Sequence, residues 1–270
     1  MRCLIIAEIG WNFMGDMNLA QKMIESAKKS GADFAKFQYW NPKKLRPGPW
    51  DDDGRREIYE AAKLDAEKIS ILQDSCDKNG IEFLISAFNQ EDAQFIFGLG
   101  IDKIKIPSHE VANVNLHKFS SENFSKVFVS LGAGKPTEIE LAASIYNNQS
   151  DLWWVGMHCV SSYPCPDEKA NLPRLKYLEK FAEIVGYSDH TSSILAPSIS
   201  LAYGAKVIEK HFTVDKKLPG RDNKFALEPD EFRAMVDNIR QAENTLIDHG
   251  IDALLLEKDT MENYRGRWGK

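Results

Sequence analysis

The sequence lacks the features that would place it in several common classes of protein. Only four of its 270 residues are cysteines, they are widely spread, and no Cys-x-x-Cys pair occurs. This predicts free thiols in a reducing compartment. No apolar run is long enough to span a membrane, and the apolar stretch at residues 4–7 meets Glu8 too soon for a signal peptide. We therefore expect a cytoplasmic protein with no membrane partner.

An excess of positive charge is also missing. The chain has 34 Lys and Arg residues against 40 Asp and Glu residues, which gives a formal net charge of −6. Because a phosphate backbone needs a basic binding face, this balance argues against nucleic acid as the main partner. It does not argue against a small anionic substrate, which a few local lysines can hold.

No glycine-rich phosphate loop follows the first predicted strand. Gly10 and Gly15 have the wrong spacing for a dinucleotide fingerprint, which disfavours an open doubly wound sheet. Hydrophobic residues make up 43% of the chain and charged residues 27%, so the sequence can fill the core of one large domain.

Short apolar runs alternate with segments of helical spacing along most of the chain. The runs predicted to be strands span residues 4–9, 34–38, 82–86, 103–106, 126–131, 153–158, 184–187 and 207–210. Eight successive βα units favour a single (β/α)8 TIM barrel, with the open sheet as the alternative. We assign residues 1–250 to the barrel and residues 251–270 to a C-terminal tail.

Polar residues mark where several helices should begin. Asn18, with Gln21 three residues later, predicts a capping box at the first helix. Asp65 predicts the start of another helix that ends near Gly80. Residues 41–53 are rich in Pro, Gly and Asp and predict a long loop, and residues 172–181 carry only a weak helical pattern.

Two histidines follow the last two predicted strands. His190 comes after the seventh strand and His211 after the eighth. In a parallel β/α protein the C-terminal strand ends carry the chemistry, and neighbouring ends bring distant residues together. Two imidazoles placed in this way are candidate ligands of one divalent metal ion. The alternative is that they are two unrelated polar residues in loops.

Polar and charged side chains recur at the other strand ends. Lys36 and Lys105 lie in buried runs, where a lysine is costly unless it meets an anion. With nearby hydroxyl groups they would form a cradle for a phosphate or carboxylate. Glu8 and Glu110 are candidates for a general acid or base, or for partners of a metal or hydroxyl group. A single serine at a strand end is explained by a loop that meets water, whereas the lysines and histidines together favour a functional site.

Several motifs occur in an order that is specific to one family. They read AEIG at residues 7–10, KFQ at 36–38, KIPS at 105–108, MHC at 157–159, GYSDHT at 186–191, GAKVIEKHFT at 204–213 and PGRD at 219–222. In these residues the chain resembles the sialic acid synthase family. Members of that family condense phosphoenolpyruvate with an N-acetylated aldose to give a 2-keto-3-deoxy sugar acid and phosphate, in the biosynthesis of cell-surface carbohydrate.

The resemblance implies a (β/α)8 barrel, a homodimer and a set of site residues. It implies that a divalent metal, with Mn2+ the expected ion and Mg2+ or Co2+ as alternatives, is held by His190 and His211. It implies that phosphoenolpyruvate is bound by Lys36, Ser86, Lys105, Ser108, Ser130, Ser161 and Ser188. It implies that the sugar and the reacting carbonyl are faced by Glu8, Gln38, Glu110, Tyr163 and Asp222.

The chain departs from the family pattern in three respects. Phe13 stands where the family usually has histidine, and Ser161 where it usually has asparagine. The family usually continues into a C-terminal antifreeze-like domain, whose arginine holds the N-acyl group of the sugar in the partner subunit. We expect that this domain is either a separate protein or is not needed by the acceptor.

Two rival functions remain open at the level of sequence. A metal-dependent aldolase or lyase on the same barrel would use pyruvate, and the two-lysine cradle argues against it. A barrel that has lost catalysis and serves as a binding or assembly subunit is suggested by Phe13 and Ser161. The presence of both histidines, both lysines and both glutamates argues for an enzyme.

Overall fold

The computed structural model describes residues 2–269, apart from the side chain of Trp50. Eight parallel strands close into a barrel in sequence order. They are β1 (Leu4–Gly10), β2 (Phe34–Gln38), β3 (Glu82–Ser86), β4 (Lys103–Ile106), β5 (Lys126–Ser130), β6 (Trp153–His158), β7 (Val185–Asp189) and β8 (Val207–His211). The predicted (β/α)8 barrel is therefore confirmed, and the open-sheet alternative is wrong.

Helices follow each strand and form the outer layer. They are α1 (Met17–Lys29), α2 (Arg55–Ala61), α3 (Ala66–Asn79), α4 (Gln90–Gly98), α5 (Val114–Asn123), α6 (Pro136–Asn147), α7 (Arg174–Leu178), α8 (Ala196–Ser200) and α9 (Pro229–Thr245). Two helices, α2 and α3, follow β2, and α2 was not predicted from the sequence. The segment at 41–53 contains two short 3-10 turns and no α-helix, as its composition predicts.

Helix boundaries are confirmed in one case and corrected in another. Asp65 caps α3 by accepting from Lys68 N–H, and Gly80 ends it in the left-handed conformation that glycine tolerates. The predicted cap at Asn18 is wrong. The cap is Asp16, two residues earlier, and its carboxylate accepts from the N–H groups of Asn18 and Leu19.

Apolar side chains fill the lower half of the barrel. Alternate residues of each strand point inward, and the inward apolar set, which we call the apolar plug, consists of Ile6, Phe34, Leu84, Phe128, Val155, Met157 and Val207. The rings of Phe34 and Phe128 meet edge to face with centroids 5.6 Å apart. A second, larger core lies between the strands and the helices. The plug closes the bottom of the barrel, so polar inward residues nearer the strand C-termini surround a cavity open at one end.

The residues after α9 pack little against the barrel. They include a 3-10 turn at Leu255–Glu257 and a π turn at Thr260–Tyr264, and the side chains of Leu255 and Trp268 are exposed. Across residues 2–269 no helix combines the length and apolar character needed to cross a bilayer. The four cysteines are free and buried, which confirms the prediction of free thiols.

Candidate active site

A cavity of about 790 Å³ opens at the C-terminal ends of the strands. All of the residues predicted for the site line it, with one exception. Ser161 is exposed and contacts two residues that line the cavity, Ser108 at 2.7 Å between hydroxyl oxygens and Cys159 at 3.9 Å between Oγ and Sγ. Phe13, the other departure from the family pattern, is buried in the outer core, where its ring meets Phe37 edge to face. The Phe13 side chain is therefore a packing residue in this protein.

The floor of the cavity carries four buried charged groups, Glu8, Lys36, Lys105 and Glu209, which we call the charged tetrad. Lys36 Nζ lies 3.0 Å from Glu8 Oε2 and 3.3 Å from Glu209 Oε1. Lys105 Nζ lies 3.5 Å from the other carboxylate oxygen of Glu209. Each of the four residues is at most 5% exposed, so their charges interact with little screening by water.

Glu209 was missed by the sequence analysis. Lys36 and Lys105 were expected to meet a substrate anion, and in the structure both face this carboxylate. A signal for it was available, because inward residues alternate along a strand and His211 lies two positions after Glu209 in β8. An inward-pointing histidine therefore places the glutamate inside the barrel as well.

The tetrad separates the pKa values of its two carboxyl groups. Burial raises the pKa of Glu8 to about 7, opposed by Lys36 and reinforced by Glu209. Burial acts on Glu209 in the same direction, but Lys105 and Lys36 outweigh it and bring its pKa down to about 2. Burial also lowers the pKa of Lys105. Within the tetrad, Glu8 is thus the carboxyl group that can exchange a proton near neutral pH.

Three hydroxyl groups surround the tetrad. Lys36 donates to Ser86 Oγ at 3.2 Å, and Lys105 donates to Ser130 Oγ at 2.7 Å. Ser188 donates to Glu209 Oε1 at 3.0 Å. The bond to Ser130 is the one hydrogen bond that Lys105 makes among the described residues. Its ammonium group therefore retains N–H donors that a ligand can use.

The two predicted metal ligands do face each other. The rings of His190 and His211 have centroids 5.7 Å apart, and both are buried. His190 Nδ1 donates to the carbonyl of Val160 at 2.7 Å, which leaves the lone pair on Nε2. His211 Nδ1 has no hydrogen-bond partner among residues 2–269 and lies 3.9 Å from Asp222 Oδ2.

Both imidazoles are held in the neutral form that binds metals. Burial lowers the pKa of His190 to about 4, opposed by the hydrogen bond to Val160. Burial and then the neighbouring His190 lower the pKa of His211 well below its ordinary value. Neutral rings with free nitrogens fit a divalent ion. The described residues contain no group of three or more His, Cys, Asp or Glu side chains that could hold an ion.

Besides Glu8, the residues predicted from the resemblance to face the sugar line the same cavity. The Tyr163 ring packs on His190 with centroids 4.1 Å apart. Gln38 donates to Glu8 Oε1, and Glu110 accepts from Asn113 at 2.8 Å. Burial raises the pKa of Asp222 to about 6, against the opposing effects of Arg221 and of a hydrogen bond from Trp11.

A buried ion pair joins the two residues that precede the histidines in the chain. Lys210 Nζ is 2.6 Å from Asp189 Oδ2 and also donates to the carbonyls of Thr191 and Ser193. Asp189 accepts further hydrogen bonds from Tyr187 Oη at 2.8 Å and from the Thr191 N–H at 2.8 Å. Because His190 follows Asp189 and His211 follows Lys210 in the chain, this pair ties together the strand ends that carry both imidazoles.

Five aromatic side chains line the cavity, and we call them the aromatic wall: Trp11, Trp40, Tyr59, Phe88 and His109. Tyr59 contacts both tryptophans, with ring centroids 4.6 Å from Trp11 and 4.3 Å from Trp40. Phe88 lies between Trp40 and His109 at 5.5 and 5.3 Å. The sequence analysis missed these residues, because their loops meet only in the folded barrel.

Comparison with known proteins places this cavity in a family. A profile of the NeuB family matches residues 23–250. The chain is 35% identical over 262 residues to N,N'-diacetyllegionaminic acid synthase of Legionella pneumophila, covering 91% of this chain and 74% of the relative. It is 35% identical over 274 residues to pseudaminic acid synthase of Campylobacter jejuni, covering 97% and 79%.

A solved structure agrees with these relatives. The N-acetylneuraminic acid (sialic acid) synthetase of Leptospira borgpetersenii, crystallised with citrate, superposes with a TM-score of 0.89 at 30% identity, covering 99% of this chain and 93% of that one. The resemblance to sialic acid synthases is thereby confirmed. The chain belongs to the NeuB family and is an enzyme of the synthase type.

Proposed function

We propose that the protein condenses phosphoenolpyruvate with an acylamino aldose to give a 2-keto-3-deoxy sugar acid and phosphate. Carbon C3 of the enol forms a bond to the aldehyde carbon, and the aldehyde oxygen takes up a proton. Water adds at C2, and the C–O bond to phosphate breaks. The observation that carries this proposal is the charged tetrad beside two neutral histidines in one cavity.

The two lysines are suited to the donor substrate. Phosphoenolpyruvate carries a phosphate and a carboxylate, and the ammonium groups of Lys36 and Lys105 lie together on the cavity floor. Ser86 and Ser130, which already contact those ammonium groups, add hydroxyl donors at the same place. Fixed donors in a buried site stabilise an anion and the charge that develops on it more strongly than water does.

The two carboxyl groups of the tetrad have different roles in the reaction. Glu209 stays ionised and offsets one of the two lysine charges on the cavity floor. Glu8, with its pKa near 7, takes a proton from the attacking water or gives one to the forming hydroxyl group. Gln38 donates to Glu8 Oε1 and so orients the carboxyl group.

The histidines would hold the divalent ion. His190 offers Nε2, because its Nδ1 proton is engaged by Val160, and the His211 ring faces it across the same cavity wall. When bound, such an ion supplies a Lewis acid for the acceptor aldehyde. The Tyr163 ring contacts both imidazoles, with centroids 4.1 Å from His190 and 6.0 Å from His211.

Phosphate release tests the proposal directly. The protein is incubated with phosphoenolpyruvate, Mn2+ and a panel of acylamino aldoses, and inorganic phosphate and the new keto acid are measured. Lys105→Met should lower kcat/KM by about 10²- to 10³-fold, the usual effect of removing one preorganised charge-stabilising group. Lys103→Met is the matched control, because Lys103 lies two residues earlier on β4, at the opposite end of the barrel.

Two results would contradict the proposal. One is a failure to release phosphate with every aldose, both alone and with an added antifreeze-like protein. The other is equal activity of the Lys105→Met and Lys103→Met variants. Cleavage of a keto acid to pyruvate without phosphoenolpyruvate would instead favour an aldolase on this barrel.

A further inference from the structure

Three buried polar side chains that follow cavity residues in the chain take no part in the reaction described above. They are Asn12, Thr213 and Asn223, and each is at most 1% exposed. We call them the inter-loop network, because they join the loop after β1 to the loop after β8. Burying an amide or hydroxyl group costs free energy unless the group is hydrogen-bonded, so the role of the network depends on the bonds it makes.

Asn223 joins the two loops through its side-chain amide. Its Nδ2 donates to the carbonyl of Pro219 at 2.8 Å within its own loop and to the carbonyl of Asn12 at 3.3 Å in the other loop. Its Oδ1 accepts from Thr213 Oγ1 at 2.5 Å. Because a primary amide carries two N–H donors and one carbonyl acceptor, these bonds use both ends of the group.

Asn12 makes a second connection between the same loops. Its Nδ2 donates to the carbonyl of Phe212 at 2.8 Å, directly after the end of β8. The backbone carbonyl of Asn12 is the group that accepts from Asn223. The two loops are thus joined twice, once through each amide side chain.

The part of the second loop that carries Asp222 depends on these bonds. Backbone hydrogen bonds join the two ends of the loop, where Leu227 N–H donates to the carbonyl of His211 at 2.9 Å. Between those ends, Asp222 begins a 3-10 turn of only three residues. A single short 3-10 turn has poorer hydrogen-bond geometry than an α-helix, so the bonds of Asn223 are needed to fix its position.

Trp11 and Asp222 immediately precede Asn12 and Asn223 in the chain, and their side chains meet in the cavity. The indole N–H of Trp11 donates to the Asp222 carboxylate, and Asp222 Oδ2 lies 3.9 Å from His211 Nδ1. All three of these side chains line the cavity. A shift of the segment that carries Asn223 would therefore move the Asp222 carboxylate relative to both of its neighbours.

We propose that Asn223 is a positioning residue that holds the Asp222 carboxylate in its place beside His211. The inference rests on the proposed function and on the prediction that Asp222 faces the acceptor sugar. Asn223 is not among the described residues that line the cavity, so it acts through Asp222. Misplacement of a reacting or binding group by about 1 Å can lower a rate by about 10²-fold, so loss of this attachment has a measurable effect.

A double-mutant cycle tests the coupling of Asn223 to Asp222. Asn223→Ala should lower kcat/KM for the acceptor by about 10- to 100-fold and leave the KM of phosphoenolpyruvate unchanged. In an Asp222→Ala background the same substitution should change kcat/KM by less than about twofold, because the group that it positions is already gone. Equal losses in the two backgrounds would show that Asn223 does not act through Asp222, and the inference would be wrong.

Thr213→Val is a milder variant that keeps the test available if Asn223→Ala does not fold. It removes the hydroxyl group that donates to Asn223 Oδ1 and should lower kcat/KM for the acceptor by about fivefold, as expected for the loss of one hydrogen bond. Tyr146→Phe is the matched control. It also removes one buried hydroxyl group, which is bonded to His117 Nδ1 at 2.8 Å in the outer core, and should leave kcat/KM unchanged. Equal effects of the two substitutions would contradict the inference.

The indole N–H of Trp11 reports the position of Asp222 without any turnover. Its heteronuclear NMR signal, assigned by its loss in Trp11→Phe, should shift in Asn223→Ala and stay in place in Tyr146→Phe. An unshifted signal in Asn223→Ala would overturn the inference. Absence of phosphate release with every sugar would count against the proposed function, and the NMR comparison would still decide whether Asn223 positions Asp222.

Discussion

Removal of Lys210 is the sharpest test of how the histidine pair is held in place. The Lys210→Met substitution keeps most of the volume of the side chain and deletes its charge. The ammonium group is fully buried and contacts Asp189 Oδ2 at 2.6 Å together with two backbone carbonyls. Without it, Asp189 is left as a buried carboxylate that keeps only its hydrogen bonds from Tyr187 and Thr191.

The expected cost follows from this burial. Breaking a buried ion pair by removing one partner destabilises a protein by about 3–5 kcal/mol, because the remaining charge stays without compensation. The side chains of Lys210 and Asp189 are 1% and 0% exposed, so no discount for solvent screening applies. The double variant Asp189→Asn/Lys210→Met should recover part of the loss, since it removes both charges.

Two measurements are needed, because the pair is expected to act on stability and on the site. Urea unfolding followed by circular dichroism gives the first, and Mn2+ affinity by calorimetry gives the second. Affinity should fall about tenfold or more, in the range seen when groups that orient metal ligands are removed. Lys206→Met is the control, because Lys206 is exposed just before β8.

A loss of less than about 1 kcal/mol in Lys210→Met would refute the reasoning about the ion pair, since that is the range of exposed pairs. A large loss of stability with unchanged Mn2+ affinity would refute only the proposed effect of the ion pair on the histidines and would leave its contribution to stability standing. In that case the pair is a structural contact between β7 and β8.

Two further predictions concern single residues of the cavity. Burial raises the pKa of Asp92 to about 6, so the native state binds this proton more tightly than the unfolded state and stability falls as pH rises from about 4 to 6. Asp92→Asn should therefore gain stability relative to wild type across that window, by up to about 3 kcal/mol, and parallel urea curves at pH 4 and pH 7 that show no relative gain would contradict it. His211→Ala should abolish calorimetric Mn2+ binding, with His249→Ala, exposed in the tail, as control; retained binding would exclude His211 as a ligand.

Most of the strands could be predicted from the pattern of apolar and polar residues in the sequence. The predicted strands at 34–38, 82–86, 103–106 and 153–158 coincide with β2, β3, β4 and β6, because each is a short apolar run between polar residues. The ends of the helices were predicted less accurately than the strands. The Asn18 cap was wrong because the carboxylate of Asp16 reaches the same N–H groups, and α2 was missed because a Pro, Gly and Asp-rich segment precedes it.

Some residues of the candidate site could also be predicted from the sequence, and others could not. His190, His211, Lys36 and Lys105 could be selected because a histidine or lysine at the end of an apolar run is a local feature. Glu209 could have been found by alternation along β8 but was not, and Ser161 was expected in the cavity but lies outside it. The proposed roles of these residues remain predictions for the experiments above.

Residue type and spacing were sufficient for the order of strands and helices, since both depend on interactions between near neighbours in the chain. They could not reveal that Lys36, Lys105 and Glu209 share one buried cluster, or that Asp189 and Lys210 lock two strand ends together. Those contacts join residues from different βα units. They exist only once the barrel closes and the apolar plug leaves the upper interior to polar side chains, where low dielectric sets each pKa.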